Sequence, residues 1–137
     1  MNISIKNIDQ KKQIDLKIIF KIQDELENLF SFDTINGVLL FRIDGILLES
    51  YVNFSKTFSL LSTVNWIKTI ISKVGTELKS NLYRIAYSRQ EEHVYFYKVG
   101  SAVILACVLD KFANLGLLAI EMDRIAYKIA DISNFNS

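Results

Sequence analysis

One histidine, one cysteine, an adjacent pair of glutamates and five glycines are the residues of this chain most able to do chemistry. His93, in "QEEHVYF", would act as a general base or a metal ligand, but no neighbouring His or Cys completes a metal set. It reads as a solvent-exposed strand residue. Cys107 lies in "AVILACVLD", an apolar run that offers no base or positive charge to ionise a thiol. A small buried hydrophobe is the expected role. Glu91 and Glu92 share the turn "RQEE", and adjacency in sequence does not aim two carboxylates at one substrate atom. They read as a solvated turn. The glycines form neither a GxxxxGK loop followed by Ser or Thr nor a GxGxxG turn, the patterns whose backbone N–H groups cradle phosphate. No catalytic constellation, metal set or cofactor site emerges, so an enzyme is not expected.

The totals narrow the class further. A chain of 137 residues suits one domain, spanning 1–137, with a core that needs neither disulfide nor metal. Sixteen basic residues against fifteen acidic give a net charge of +1 with neither sign gathered into a block, which argues against a nucleic-acid partner. The longest apolar runs fall well short of the roughly 20 residues of a transmembrane helix. "MNISIKNIDQKK" lacks the apolar stretch and cleavage site of a secretory signal, and a lone cysteine forms no intrachain disulfide. A cytoplasmic setting is expected.

Periodicity then supplies the elements. Ile14, Ile18, Ile22, Leu26 and Leu29 recur at helical spacing and predict helix one from about Asp9 to Phe30, with residues 1–13 as an arm that either frays or extends it. Ile35 to Arg42 and Ile46 to Val52 predict a hairpin through Asp44 and Gly45. Helix two carries Leu60, Val64, Ile67, Ile71, Val74 and Leu78 on one stripe, with Ser55 as its expected N-cap. Strands follow at Leu82 to Ser88, His93 to Val99 and Ser101 to Asp110, the last two joined tightly through Gly100. Asn114 is the expected N-cap of helix three, whose face runs from Leu115 to Ile132.

Two segments carry more apolar surface than a core stripe requires. On helix two, Trp66 and Ile70 sit about 80° to 120° round from the stripe, on a shoulder shared with Ser59, Thr63 and Glu77. That shoulder either widens the core or meets another protein. In "NLYRIAYSR", Tyr83, Ile85 and Tyr87 alternate with Leu82, Arg84, Ala86 and Ser88, the pattern of a half-covered strand. As an edge with no Pro or Lys to blunt it, strand three invites pairing with another copy.

The order of elements, the hairpin "GVLLFRIDGILLES", the strand pair "HVYFYKVGSAVILACVLD" and the helix "ANLGLLAIEMDRIAYKI" resemble the roadblock/dynein light-chain superfamily over about Ile22 to Ile132. The markers are Gly37, Asp44, Gly45, Gly100 and "NLGLL" from Asn114 to Leu118. Arg42 and the long first helix depart from the family pattern and leave the subfamily open. The resemblance implies an α+β fold of order αββαβββα. A five-stranded antiparallel sheet would carry helix two on one face and helices one and three on the other. Val38 and Leu40 would then face one helical layer, and Leu39 and Phe41 the other.

The resemblance also implies a homodimer formed through strand three and helix two, acting as a non-catalytic scaffold for a Ras-like small GTPase. The residues expected at that interface, from the shoulder and strand described above, are Ser59, Thr63, Trp66, Ile70, Glu77, Tyr83, Arg84, Ile85 and Tyr87. A light-chain-type structural subunit, or half of a heterodimer with another roadblock protein, is the second expectation, and a longin- or PAS-like ligand sensor the third. Arg84 and Arg89 read as solvating arginines rather than as an arginine finger.

Overall fold

The computed structural model describes residues 2–56, 59–79 and 83–133. Their order is α1 (Asn2–Phe30), β1 (Ile35–Arg42), β2 (Leu47–Val52), α2 (Leu60–Lys79), β3 (Arg84–Arg89), β4 (Glu92–Val99), β5 (Val103–Asp110) and α3 (Leu115–Ser133). All strand pairs are antiparallel, in the spatial order β2-β1-β5-β4-β3. The αββαβββα order implied by the resemblance holds. Helix one differs at its start: with no Gly or Pro to break it, α1 runs on upstream to Asn2, so residues 2–13 extend the helix. The beginning expected for strand three at Leu82 lies outside the described residues.

The central strands are covered on both faces. Val38, Leu40, Tyr97, Leu105, Cys107 and Leu109 pack against α1 through Leu26 and Leu29, and against α3 through Leu118, Met122, Ile125 and Ile129. Leu39, Phe41, Val94, Phe96, Ile104 and Val108 turn the other way, onto Leu60, Val64, Ile67, Ile71, Val74 and Leu78 of α2. Near-continuous apolar runs in β1 and β5 are thereby explained, since each side chain meets a helix whichever way it points. The second arm of the opening hairpin is different. Leu47 and Leu48 stay exposed at the start of β2, next to where the ladder slips between Leu40 and Phe41.

Turn chemistry fixes the connections. Gly45 takes φ +100, a conformation that favours glycine, and Arg42 pairs with Asp44 across the same turn. The Arg42 hydrogen bond holds the Asp44 carboxyl below its ordinary range. The turn after β4 is longer than expected, spanning 100–102 before Val103 pairs with Val99. Asn114 caps α3 as expected, its Oδ1 accepting from the Leu117 N–H at 3.1 Å.

The start of α2 is not capped by Ser55, whose hydroxyl and N–H both bond Asn53. The helix opens instead at Leu60, beside a carboxylate from another element. Ser59 Oγ donates to Glu92 Oε1 at 2.6 Å, and Thr63 Oγ1 donates to Glu92 Oε2 at 3.2 Å. Glu92 is 1% exposed, so only Glu91 belongs to the solvated turn that sequence assigns to both. Register explains the split. Glu92 pairs with Arg89 on β3 and Asp110 on β5, and lies on the same face as Val94 and Phe96, pointing under α2. A buried anion at a helix N-terminus is also favoured by the helix dipole.

Two predictions test this packing. A Cβ at Gly75 would stand 2.8 Å from the Ile43 carbonyl oxygen, where the β1–β2 turn passes beneath α2. Gly75→Ala should therefore destabilise by ~1–2 kcal/mol despite its better helix propensity, while Gly116→Ala, whose Cβ would meet only Asn114 Oδ1 at an ordinary 3.7 Å, should stabilise by up to ~1 kcal/mol. Urea unfolding midpoints that moved in the same direction would contradict the close approach. Glu92→Ala leaves the buried Thr63 hydroxyl and the half-buried Ser59 hydroxyl without this acceptor and should cost ~1–3 kcal/mol, against less than ~0.5 kcal/mol for Glu91→Ala in the same assay.

Candidate partner-binding site

The residues with chemical potential are not drawn together. Cys107 is fully buried in β5, and burial pushes its thiol well up, which keeps it protonated and unreactive. His93 is half-buried rather than fully exposed, its Nδ1 lying 3.2 Å from Ser88 Oγ across the β3–β4 ladder. Among the described residues, no three His, Cys, Asp or Glu side chains are close enough to hold a metal ion, and no helix is long and apolar enough to cross a membrane.

The apolar surplus of α2 and β3, by contrast, forms one continuous surface. β3 is the last strand of the sheet, hydrogen-bonded to β4 on one side and to no strand on the other among the described residues. Ile85, Tyr87 and Arg89 turn to the α2 face and are half-buried, whereas Arg84, Ala86 and Ser88 are exposed on the opposite face. Trp66 meets Tyr87 edge-on with ring centroids 5.3 Å apart, and Tyr87 meets Phe96 edge-on at 5.8 Å. The Arg89 guanidinium lies 4.4 Å from the Trp66 ring centroid. Such aromatic and cation–π contacts contribute about 0.5–1.5 kcal/mol each, so Trp66 is partly a core residue and partly a surface one. Ile70 follows one turn on, also half-buried.

The other sequence candidates distribute around this surface. Ser59 and Thr63 are committed to Glu92, and Thr63 is buried at 1% exposure, so it supports the shoulder from beneath. Glu77 is half-buried at the far end of α2, where its charge adds to burial in raising the Tyr87 phenol. Tyr83 does not join Ile85 and Tyr87. It precedes the first ladder pair and swings to the α3 side, where it lines a cleft of about 360 Å³ with Tyr97, Asp123 and Tyr127. Arg84 is on that side too, beside the buried Tyr97 hydroxyl, whose acidity burial lowers and Arg84 partly restores. Sequence reasoning missed Arg89 and Glu92. Their signal is strand parity: both sit an even number of residues from partners that face α2.

Comparison with known proteins places this geometry. No curated protein sequence is significantly similar to the chain. Among solved structures, Myxococcus xanthus MglB is 16% identical with a TM-score of 0.65, covering 83% of this chain and 95% of its own. MglC from Myxococcus xanthus is 12% identical with a TM-score of 0.63, over 79% and 95% of the two chains. A Roadblock/LC7 domain from Streptomyces avermitilis is 12% identical with a TM-score of 0.59, over 77% and 91%. Identities this low speak for the fold alone, a five-stranded antiparallel sheet with helices in the order αββαβββα. The sequence profile of the family described as AF0774-like protein matches residues 4–123. The chain has the fold of these roadblock-domain structures and belongs to the AF0774-like protein family.

Proposed function

We propose that this chain is a non-catalytic adaptor that dimerises through β3 and α2 and binds a Ras-like small GTPase in a cytoplasmic setting. The observation that carries the proposal is the outer edge of β3, paired with no strand among the described residues, lying directly beside the half-buried Trp66, Ile70 and Tyr87. Backbone groups on that edge supply affinity to any strand laid against them, and the aromatic shoulder supplies desolvated apolar contacts. Two copies joined there would present their α2 helices side by side, the platform that the roadblock resemblance associates with small GTPases. Arg84 projects to the face away from α2, which places it poorly for an arginine finger at such a platform.

A heterodimer with another roadblock protein, or a light-chain-type subunit, would use the same surface. Size-exclusion with light scattering on the purified chain separates these: a homodimer supports the proposal, and a monomer that waits for a partner supports the alternative. Ile70→Asp should abolish self-association while moving the unfolding midpoint little. Trp66→Ala should weaken association and also cost ~1–3 kcal/mol of stability, because its ring packs on Tyr87 and Phe96. If association survived Ile70→Asp, the shoulder would not be the interface.

Binding is tested by titrating a purified Ras-like GTPase, loaded with GTP or GDP, into the wild-type chain and the Ile70→Asp variant. Nucleotide-dependent binding is expected only for the wild type. Hydrolysis by the bound GTPase should be unchanged by Arg84→Ala, whereas loss of a true finger would slow it by ~10³-fold or more.

A further inference from the structure

The shoulder of α2 and β3 is electrically polar along its length. At one end Arg89 is laid on the Trp66 ring, and its Nε is buried with no hydrogen-bond partner among the described residues. A guanidinium held against an indole has lost most of its freedom, while its nitrogen edge keeps the fork geometry that matches a carboxylate. At the other end, about three helical turns along α2, stands Glu77, close enough for its charge to act on Tyr87. Lys73 is the other charge on this side of α2, and it is exposed and free to extend into water, unlike Arg89. Lys68 and Lys79 belong to the opposite side of the helix.

A two-fold axis through the middle of β3, near Ala86 and Tyr87, sets the first half of one strand against the second half of its copy. The Arg89 end of each protomer then meets the Glu77 end of the other, twice in one interface. The surface is thus complementary to itself in charge. We propose that Arg89 forms an ion pair with Glu77 of the partner subunit on each side of this axis, and that the two pairs select a second copy of this chain over other strand edges. The inference rests on the dimer proposed above and identifies what fixes its register and partner. Opposed charges across an interface act in this way, favouring the matched partner and penalising a like-charged one.

The test is sedimentation of the full chain over a range of concentrations at low and high salt. Wild type should dimerise and weaken as salt rises. Arg89→Glu alone, or Glu77→Arg alone, brings like charges together at both contacts and should weaken the homodimer at least ~tenfold. An equimolar mixture of the two variants should dimerise again, because every contact in the mixed pair joins opposite charges. An ion pair within one chain would be rescued in the doubly substituted chain but not in the mixture, which would overturn the proposal. Thermal unfolding of each variant guards against loss of fold. Should Arg89→Glu fail to fold, Arg89→Gln takes its place and should flatten the salt dependence. A wild-type dimer indifferent to all these substitutions overturns the ion pair and leaves the dimer standing, while a wild type that is monomeric at every concentration overturns both.

Discussion

The structure depends on one requirement: β1 and β5 are apolar on both faces, so neither face of the sheet centre can meet water. Val38, Leu40, Leu105 and Cys107 demand a layer on one side, and Leu39, Phe41, Ile104 and Ala106 demand another on the second. At about 25 cal/mol per Å² of apolar surface removed from water, leaving either side open would forfeit more than the net stability of an ordinary domain. Among the described residues, three helices and five strands meet that demand. One helix suffices on the α2 side because its stripe is broad, whereas α1 and α3 share the other. Lys128 and Glu25 lie 3.8 Å apart where those two helices meet.

A single helix over half a sheet must be held in place, and α2 is held at both ends by contacts from distant parts of the chain. Glu92 takes the hydroxyls of Ser59 and Thr63 at its start, and Gly75 lets the Ile43 carbonyl come close near its end. Both anchors are far in sequence from the residues they position. Trp66 and Ile70 are therefore carried on a helix tied to the sheet at both ends, with Arg89 laid on the Trp66 ring. Ordering costs at such a surface are met during folding rather than at the moment of association.

Most of the fold was legible because each element carries a period. The stripe from Leu60 to Leu78, the solid strands around Cys107 and the Asn114 cap all express local rules, and the structure keeps them. What escaped was governed by contacts that no local window contains. Glu92 is an acidic residue beside a turn, and only pairing with Arg89 and Asp110 tells that it points beneath a helix. Ser55 has the composition of a cap, but Asn53 claims it. Tyr83 alternates correctly with Ile85 and still swings to the other side, because the ladder that enforces alternation begins one residue later. The shoulder was visible as surplus hydrophobicity, but its polarity was not, since Arg89 and Glu77 are brought to opposite ends of one surface only by the fold.

The two borders of the sheet are unlike, and this difference governs how assembly would end. β2 is a six-residue strand with a slipped register, and its Glu49 is tied to Gln23 of α1 at 2.9 Å. β3 is regular along its whole ladder. A chain with two equally receptive borders could add copies head to tail without limit, as a fibre does. With one receptive border, a pairing about a two-fold uses it up on both copies at once and leaves only the irregular borders outward. In the proposed dimer, the slipped ladder beside Leu47 and Leu48 would thus act as a terminator that keeps growth finite.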